Sequence, residues 1–295
     1  MTNDAVGQYA LAGETVMAIG CGTPDGQVNN GFAAARAFVA AGADVCIVDR
    51  DPVALENAGR ALDEWASAES AFSSADASAA ALPRRHGQWT TIAADVGSDA
   101  SLRAAVEHCV LHLGPPTVLH YNVGIVVNGG LDTLETSDFR TALDINLTGA
   151  FTAMKLILPH MRSAGRGSII TVASVGGMRY MGYDYPAYAA SKAGLIELTR
   201  VTGARHAREG IRANSIAPGL IETPLIHSSI SGHYGSTEDM LAERHALSPT
   251  GRMGRPEDIA ALAVFLASAS SAYINSTVIP VDGGLVHQVG TMARE

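Results

Sequence analysis

Lysine is almost missing from this chain: of its 20 Lys and Arg residues, only Lys155 and Lys192 are lysines. Where every other strong cation is an arginine, a retained lysine suggests a site that needs a compact charge with an adjustable pKa, which a planar guanidinium does not supply. Positive charge is also outnumbered, 20 against 29 Asp and Glu, for a formal net charge of −9 and a pI near 5.5. Nucleic acid and anionic membrane surfaces want clustered cations, so neither is expected as a partner. Cysteine is scarce: Cys21, Cys46 and Cys109 are odd in number and lack metal-ligand spacing. They read as reduced, buried residues of a cytoplasmic protein, with no metal site expected. No apolar run approaches the roughly 18 residues of a membrane span. Residues 1–13 hold Asp4 and lack the basic-then-apolar pattern of a secretory signal.

What is present suits an α/β fold. The chain has 295 residues, 47% of them hydrophobic, enough for a sizeable core in one domain. Short apolar runs rich in β-branched residues, typical of strands buried on both faces, fall near 15–20, 43–49, 90–94, 117–121, 168–173, 212–217 and 277–281. Helical patterns lie between them, near 30–41, 99–112, 136–163, 186–208 and 256–268. Seven strands alternating with helices predict a doubly wound parallel sheet. The Ala/Ser-rich segment 66–86 interrupts the rhythm and reads as an insertion, either a helix extension or a mobile surface loop. The polar stretch 228–249, within a wider region 224–250, holds His227, His233, Tyr234 and His245. It reads as an irregular loop at the ligand crevice, its histidines solvated and not metal-bound.

The chemistry centres on residues 174–192. If Pro186 opens a helix, where its missing N–H costs nothing, Tyr188 falls in the first turn and Lys192 one turn above it on the same face. A nearby ammonium and the positive end of a helix both favour a phenolate, so Tyr188 is predicted to exchange protons with an alcohol or ketone. Ser174 is placed to hold the reacting oxygen. Upstream, the glycine-rich link from Gly20 through Gly22 to Asn30 and Gly31 suits a pyrophosphate at a helix N-terminus. Asp49, at the end of the second strand, suits an adenosine ribose. Asp95 and Val96 are candidates for an adenine contact or a plain turn. Asn122, Val123 and Gly124 offer small residues against which a cofactor could lie. Asn146 is a poor helix former in an apolar helix and needs partners. Pro218, Gly219, Ile221 and Thr223 close the sixth strand, as a turn or as a contact to a nicotinamide carboxamide.

Taken in order, these motifs, with Gly251-Arg252-Met253-Gly254-Arg255-Pro256-Glu257-Asp258 and Val281-Asp282-Gly283-Gly284, resemble the short-chain dehydrogenase/reductase family, in its single Rossmann-domain branch with a Tyr-x-x-x-Lys site. The resemblance runs from Thr15 to about Leu285. It implies roles: Tyr188 as acid/base, Lys192 on the nicotinamide ribose and lowering the tyrosine pKa, Ser174 orienting the substrate, and Asn146 holding a relay water. It also implies a homotetramer or homodimer paired through long central helices. Three departures stand out. Ile19 replaces the usual threonine of the glycine loop and Asn29 takes the place of its middle glycine. Tyr121 replaces the first asparagine of Asn-Asn-Ala-Gly, and the span from Ser174 to Tyr188 is one residue long.

The function expected is an NAD-dependent oxidoreductase acting on a secondary alcohol or ketone. NAD is favoured because Asp49 would repel a 2′-phosphate, although Arg50 could bind one. An NADPH-dependent ketone or 3-oxoacyl reductase is the alternative within the class. A non-catalytic dinucleotide-binding sensor or scaffold is the alternative outside it. Met178, Arg179, Tyr180, Met181 and Tyr183, with residues 220–240, are expected to shape the substrate pocket.

Overall fold

In the computed structural model, which describes residues 10–24, 26–75, 86–223 and 237–288, each short β-branched run becomes a strand. They are β1 (Thr15–Ile19), β2 (Asp44–Asp49), β3 (Trp89–Ala93), β4 (Val118–Tyr121), β5 (Gly167–Val172), β6 (Ile211–Pro218) and β7 (Val278–Val281). All pair in parallel, in the order β3-β2-β1-β4-β5-β6-β7. The chain's direction of winding reverses at β1, so a crevice opens beyond the carboxyl ends of β1 and β4, where ligands of such sheets bind. Register aligns those ends: Ile19 pairs with Val48 and Tyr121, and Tyr121 with Thr171.

Alternation along the strands fills two cores. Val16 and Ala18 of β1 face one layer, built on α1 (Asn30–Ala40) and α8 (Pro256–Ala267), with Phe38 and Ile259 in it. Met17 and Ile19 face the other layer, where α3 (Asp99–Leu113) and α5 (Gly149–Ala164) contribute Leu102, Ile157 and Met161. Cys21, Cys46 and Cys109 are free and buried in these layers.

Three segments differ from the sequence pattern. The helix expected over 136–163 is divided into α4 (Thr136–Leu143) and α5 by a π-turn at Asp144–Thr148. α2 (Pro52–Ala75) runs well into the Ala/Ser-rich segment, and its return is anchored by His86, whose ring packs near Trp65 and Trp89. Residues 76–85 of that segment lie outside the described residues. Finally, 228–249 is not irregular throughout, because α7 occupies Thr237–Leu247. Met240, Arg244 and Ser248 are buried at helical spacing, too short a stripe to stand out in a polar sequence. His227, His233 and Tyr234 lie outside the described residues, and His245 accepts a hydrogen bond from the Met253 N–H at 2.9 Å.

His120 on β4 is fully buried edge-on to Phe38, at 5.4 Å between ring centroids. Neither ring nitrogen has a hydrogen-bond partner among the described residues. Burial without a partner penalises the cation, and its pKa is pushed down to about 4. The folded pKa lies below the unfolded value near 6.5, so the unfolded chain binds more protons between those limits, and stability falls as pH drops from about 6.5 toward 4. Lowering the pH from 7 to 5 should therefore destabilise the wild-type chain by about 2 kcal/mol more than His120→Leu, measured by urea unfolding at both pH values. Equal losses in the two proteins would show that the histidine reaches water.

Candidate active site

Pro186 does begin α6 (Pro186–His206), which puts Tyr188 in its first turn and Lys192 one turn on. The Lys192 ammonium lies 5.8 Å from the Tyr188 ring centre. It is almost fully buried and donates to the carbonyl oxygens of Val123 at 3.1 Å and Val172 at 2.9 Å, just past β4 and at the end of β5. The lysine thus ties three elements together at the crevice. Any side chain at position 124 would intrude, since a Cβ on Gly124 would stand 2.7 Å from the Lys192 Nζ.

Burial sets the ionisation here. It lowers the Lys192 pKa to about 7. It also raises that of Tyr188, opposed by a side-chain hydrogen bond to Ser174. The depressed phenol expected from the sequence is therefore not a property of the chain alone: desolvation of the phenolate outweighs the Ser174 hydrogen bond that opposes it. Ser174 sits where β5 ends and accepts from the Gly176 N–H at 3.0 Å, which fixes its hydroxyl beside the tyrosine.

Asn146 lies in the π-turn, fully buried. Its Oδ1 accepts from Ile125 N–H at 2.8 Å, while its Nδ2 donates to the Ile125 carbonyl at 3.0 Å and to Ser191 Oγ at 2.9 Å. The Ser191 hydroxyl then donates to the Tyr188 carbonyl at 2.8 Å. The amide therefore brackets the segment that follows β4 against the first turn of α6. Ser191 had no role in the sequence analysis. Only its place beside Lys192 could have drawn attention to it.

Tyr121 replaces a small polar residue, and the structure accommodates it in full. Its phenol is completely buried and donates to the Ile145 carbonyl in the π-turn at 2.7 Å. The space exists because residue 149 is glycine, where a Cβ would meet the phenol oxygen at 2.7 Å.

The glycine loop is rebuilt around asparagines. Asn29 caps α1, its side chain accepting from Phe32 N–H at 2.9 Å and donating to the Gly22 carbonyl at 2.8 Å. Asn122 donates to the Gly20 carbonyl at 2.9 Å. Gly31 is the residue that permits this closeness, because a Cβ there would stand 2.2 Å from the Gly20 carbonyl oxygen. Asn30, the first residue of α1, keeps a buried Oδ1 with no partner among the described residues. Asp49 accepts from the Gly22 N–H at 3.0 Å, so the ribose candidate also steadies the loop.

Two clefts flank this loop. One, of about 220 Å³, is lined by Gly20, Asp49, Arg50, Asp95, Val96 and Asn122, among others. Asp95 there also makes the local turn, accepting from Gly97 N–H at 2.9 Å. The other, of about 280 Å³, lies between Gln27, Val28, Thr223 and Arg255. Pro218 ends β6, Gly219 packs on Asp282, and Ile221 bridges to Gly254, which delivers Thr223 to the second cleft. Of the cofactor candidates, Gly20, Asp49, Arg50, Asp95, Val96, Asn122, Val123 and Gly124 line the first cleft and Thr223 the second. On the substrate side, Arg179 turns away to donate to the carbonyls of Val286 and Gln288, while Met181 joins Leu220, Met240, Met253 and Leu285 in a small apolar cluster.

The geometry agrees with what the chain is similar to. A family model described as Enoyl-(Acyl carrier protein) reductase matches residues 68–286. The inactive 2-(S)-hydroxypropyl-CoM dehydrogenase 2 of Xanthobacter autotrophicus is 35% identical over 251 residues, covering 85% of this chain and 98% of that protein. A crystal structure of levodione reductase superposes with a TM-score of 0.81 at 30% identity, covering 94% of this chain and 99% of that one. The Pseudomonas aeruginosa RhlG/NADP active-site complex superposes with a TM-score of 0.78 at 28% identity, over 95% and 98% of the two chains.

Tyr121→Phe isolates the role of the buried phenol. The Ile145 carbonyl would lose its partner in a closed space, so the variant should be about 1–3 kcal/mol less stable by urea unfolding and should turn over more slowly as the π-turn relaxes. Unchanged stability and rate would show that the phenol only fills volume.

Proposed function

We propose that this chain, which belongs to the short-chain dehydrogenase/reductase family of NAD(P)-dependent oxidoreductases, interconverts a secondary alcohol and its ketone with NAD as the dinucleotide. The observation that carries the reading is the convergence of Tyr188, Ser174 and Lys192 at the carboxyl ends of the strands, with Lys192 held by Val123 and Val172. Bound in the crevice, NAD would supply the acceptor for the hydride that leaves the carbinol carbon. The chain's own residues manage the proton. Tyr188 takes it from the substrate hydroxyl, and Ser174 holds that oxygen by a hydrogen bond. An ammonium has three protons; Lys192 directs two at carbonyls, which leaves one for a nicotinamide ribose hydroxyl. With a second hydroxyl beside it to share the charge, Lys192 would also favour the phenolate that burial alone opposes. Asn146 holds the catalytic turn through Ser191, and a relay water beside it would connect Lys192 to solvent.

The donor set fits the dinucleotide. Gly20, Gly22, Asn30 and Gly31 present backbone and a partnerless amide at the start of α1, where a pyrophosphate is favoured. Asp49 and Arg50 flank the adenosine side, and Pro218, Gly219, Ile221 and Thr223 the nicotinamide side. Within a family that also takes NADP, as in the RhlG complex, the carboxylate supports NAD: Asp49 can accept from a ribose diol and would repel a 2′-phosphate. The full set of proton-handling groups supports catalysis over a sensor role, whatever the state of the Xanthobacter relative. We place the protein in the cytoplasm as a homotetramer. Half-exposed Phe151 on α5 and Val201 on α6 support pairing through those helices.

Tyr188→Phe should bind NADH normally and lose several hundredfold or more in turnover, since positioned acid/base groups contribute typically 10²–10⁴ in rate. Steady-state kinetics on a panel of secondary alcohols, with NADH fluorescence for binding, checks this; a variant with half the wild-type rate would remove Tyr188 from the mechanism. For the cofactor, kcat/KM should favour NAD over NADP by about a hundredfold or more, and Asp49→Ala should narrow the gap mainly by weakening NAD use. Equal or better use of NADP by the wild-type chain would assign the choice to Arg50.

A further inference from the structure

Arg244 is the one guanidinium whose setting the mechanism leaves unexplained. It lies on the buried face of α7, one turn after Met240, and only 5% of it is exposed. Met240, one turn before it, packs in an apolar cluster with Leu220, Met253 and Leu285. Arginine stays charged in proteins, and a buried charge is costly unless it is paired. Yet among the described residues no carboxylate stands within ion-pair distance of it, and its Nε has no hydrogen-bond partner. Residues 224–236, which precede α7, contain no Asp or Glu. The hydrogen bond recorded for it is from Nη1 to the Tyr183 hydroxyl, at 3.4 Å.

That hydroxyl is the outer end of an aromatic path to the reaction centre. Tyr183 stacks on Tyr185 at 5.6 Å between ring centres, and Tyr185 meets Tyr188 edge-on at 5.3 Å. The Tyr185 hydroxyl and Ser174 Oγ border the same point, since a Cβ on Gly176 would lie 3.0 Å from the one and 3.4 Å from the other. Arg244 is also near enough to act on the Tyr185 phenol, countering the rise that burial imposes on it. A line of side chains therefore runs from Tyr188 and Ser174 along two tyrosine rings to a buried guanidinium in the last turn of α7 that has no carboxylate partner among the described residues.

We infer that Arg244 is the anchor for a carboxylate on the substrate, so that the preferred substrates are hydroxy acids and oxo acids whose carboxylate lies well away from the reacting carbon. A carboxylate would supply the charge that the guanidinium lacks and could take two N–H bonds in its plane, including the free Nε–H. The tyrosine rings would pack on the apolar body between the two ends, and the Tyr183 hydroxyl would hold the guanidinium in orientation. Tyr183 is then a positioning residue and Arg244 a specificity residue. This inference rests on the oxidoreductase reading of the site, but it can fail separately.

The test uses 4-oxopentanoate, 5-oxohexanoate, 7-oxooctanoate and 4-oxocyclohexanecarboxylate, each beside its methyl ester, with the full-length protein and NADH. At least one acid should exceed its ester by tenfold or more in kcat/KM, mostly through KM. Arg244→Met should bring that ratio to about one, through a higher KM for the acid. Its melting temperature should match or exceed that of the wild type, since replacing an unpaired buried charge with an apolar chain of similar length removes a desolvation cost; a merely structural arginine would lower it. Tyr183→Phe should lower the acid-to-ester ratio partway. Esters as good as their acids throughout, or a ratio that survives in a folded Arg244→Met, would overturn the assignment. If no ketone is reduced, the oxidoreductase reading fails, and calorimetry of the same acids and esters with wild type and Arg244→Met decides the anion site alone: acid binding lost in the variant supports it, and no acid binding overturns it.

Discussion

A single buried ammonium holds the reaction centre together. Lys192 projects from α6 and is bonded to carbonyls just beyond β4 and at the end of β5, so that helix cannot shift without moving the ends of both strands. The cost of burying the charge is visible in its lowered pKa, and the bonds to carbonyl oxygens offset part of it. The requirement for Gly124 follows from this placement. Asn146 and Ser191 fix the same helix through a second set of hydrogen bonds.

The departures from the family pattern come with compensations close by in space. Tyr121 brings a large phenol under the π-turn, and Gly149 makes room for it while the Ile145 carbonyl receives its proton. The longer glycine loop would be slack without Asn29, which spans it from the α1 cap to the Gly22 carbonyl. Asn122 and Asp49 hold the same loop from β4 and β2. Polar side chains here do by hydrogen bonding what tight glycine turns do by shape, and the strand-end crevice survives the change.

The substrate lobe obeys a looser logic. Leu220, Met240 and Met253, from the segment between β6 and α8, join Leu285 and Met181 in a cluster much smaller than the two cores. Met is adaptable and fills irregular space, which suits a wall that must accept a ligand. Arg179 ties this lobe to the last turn among the described residues, Leu285–His287, and the carbonyls around it. The buried charge of Arg244 marks it as a place where stability has been given up for recognition.

By itself the sequence determined the seven parallel strands, most of the helices between them though not α7, and the pairing of Tyr188 with Lys192, because burial on both faces and a one-turn spacing are local patterns that any reader can count. It also marked Asn146 as a polar residue needing partners, Asp49 as a candidate for a ribose and Ser174 as a candidate for the reacting oxygen. Who those partners are was decided only in three dimensions. The π-turn depends on Tyr121 reaching Ile145 from a strand 24 positions away. The raised tyrosine pKa depends on desolvation, which no spacing reports. The isolation of His120 and of Arg244 depends on what packs around them from other elements. Long-range neighbours set hydrogen bonding and local dielectric, and those two quantities turn a recognisable motif into a working site.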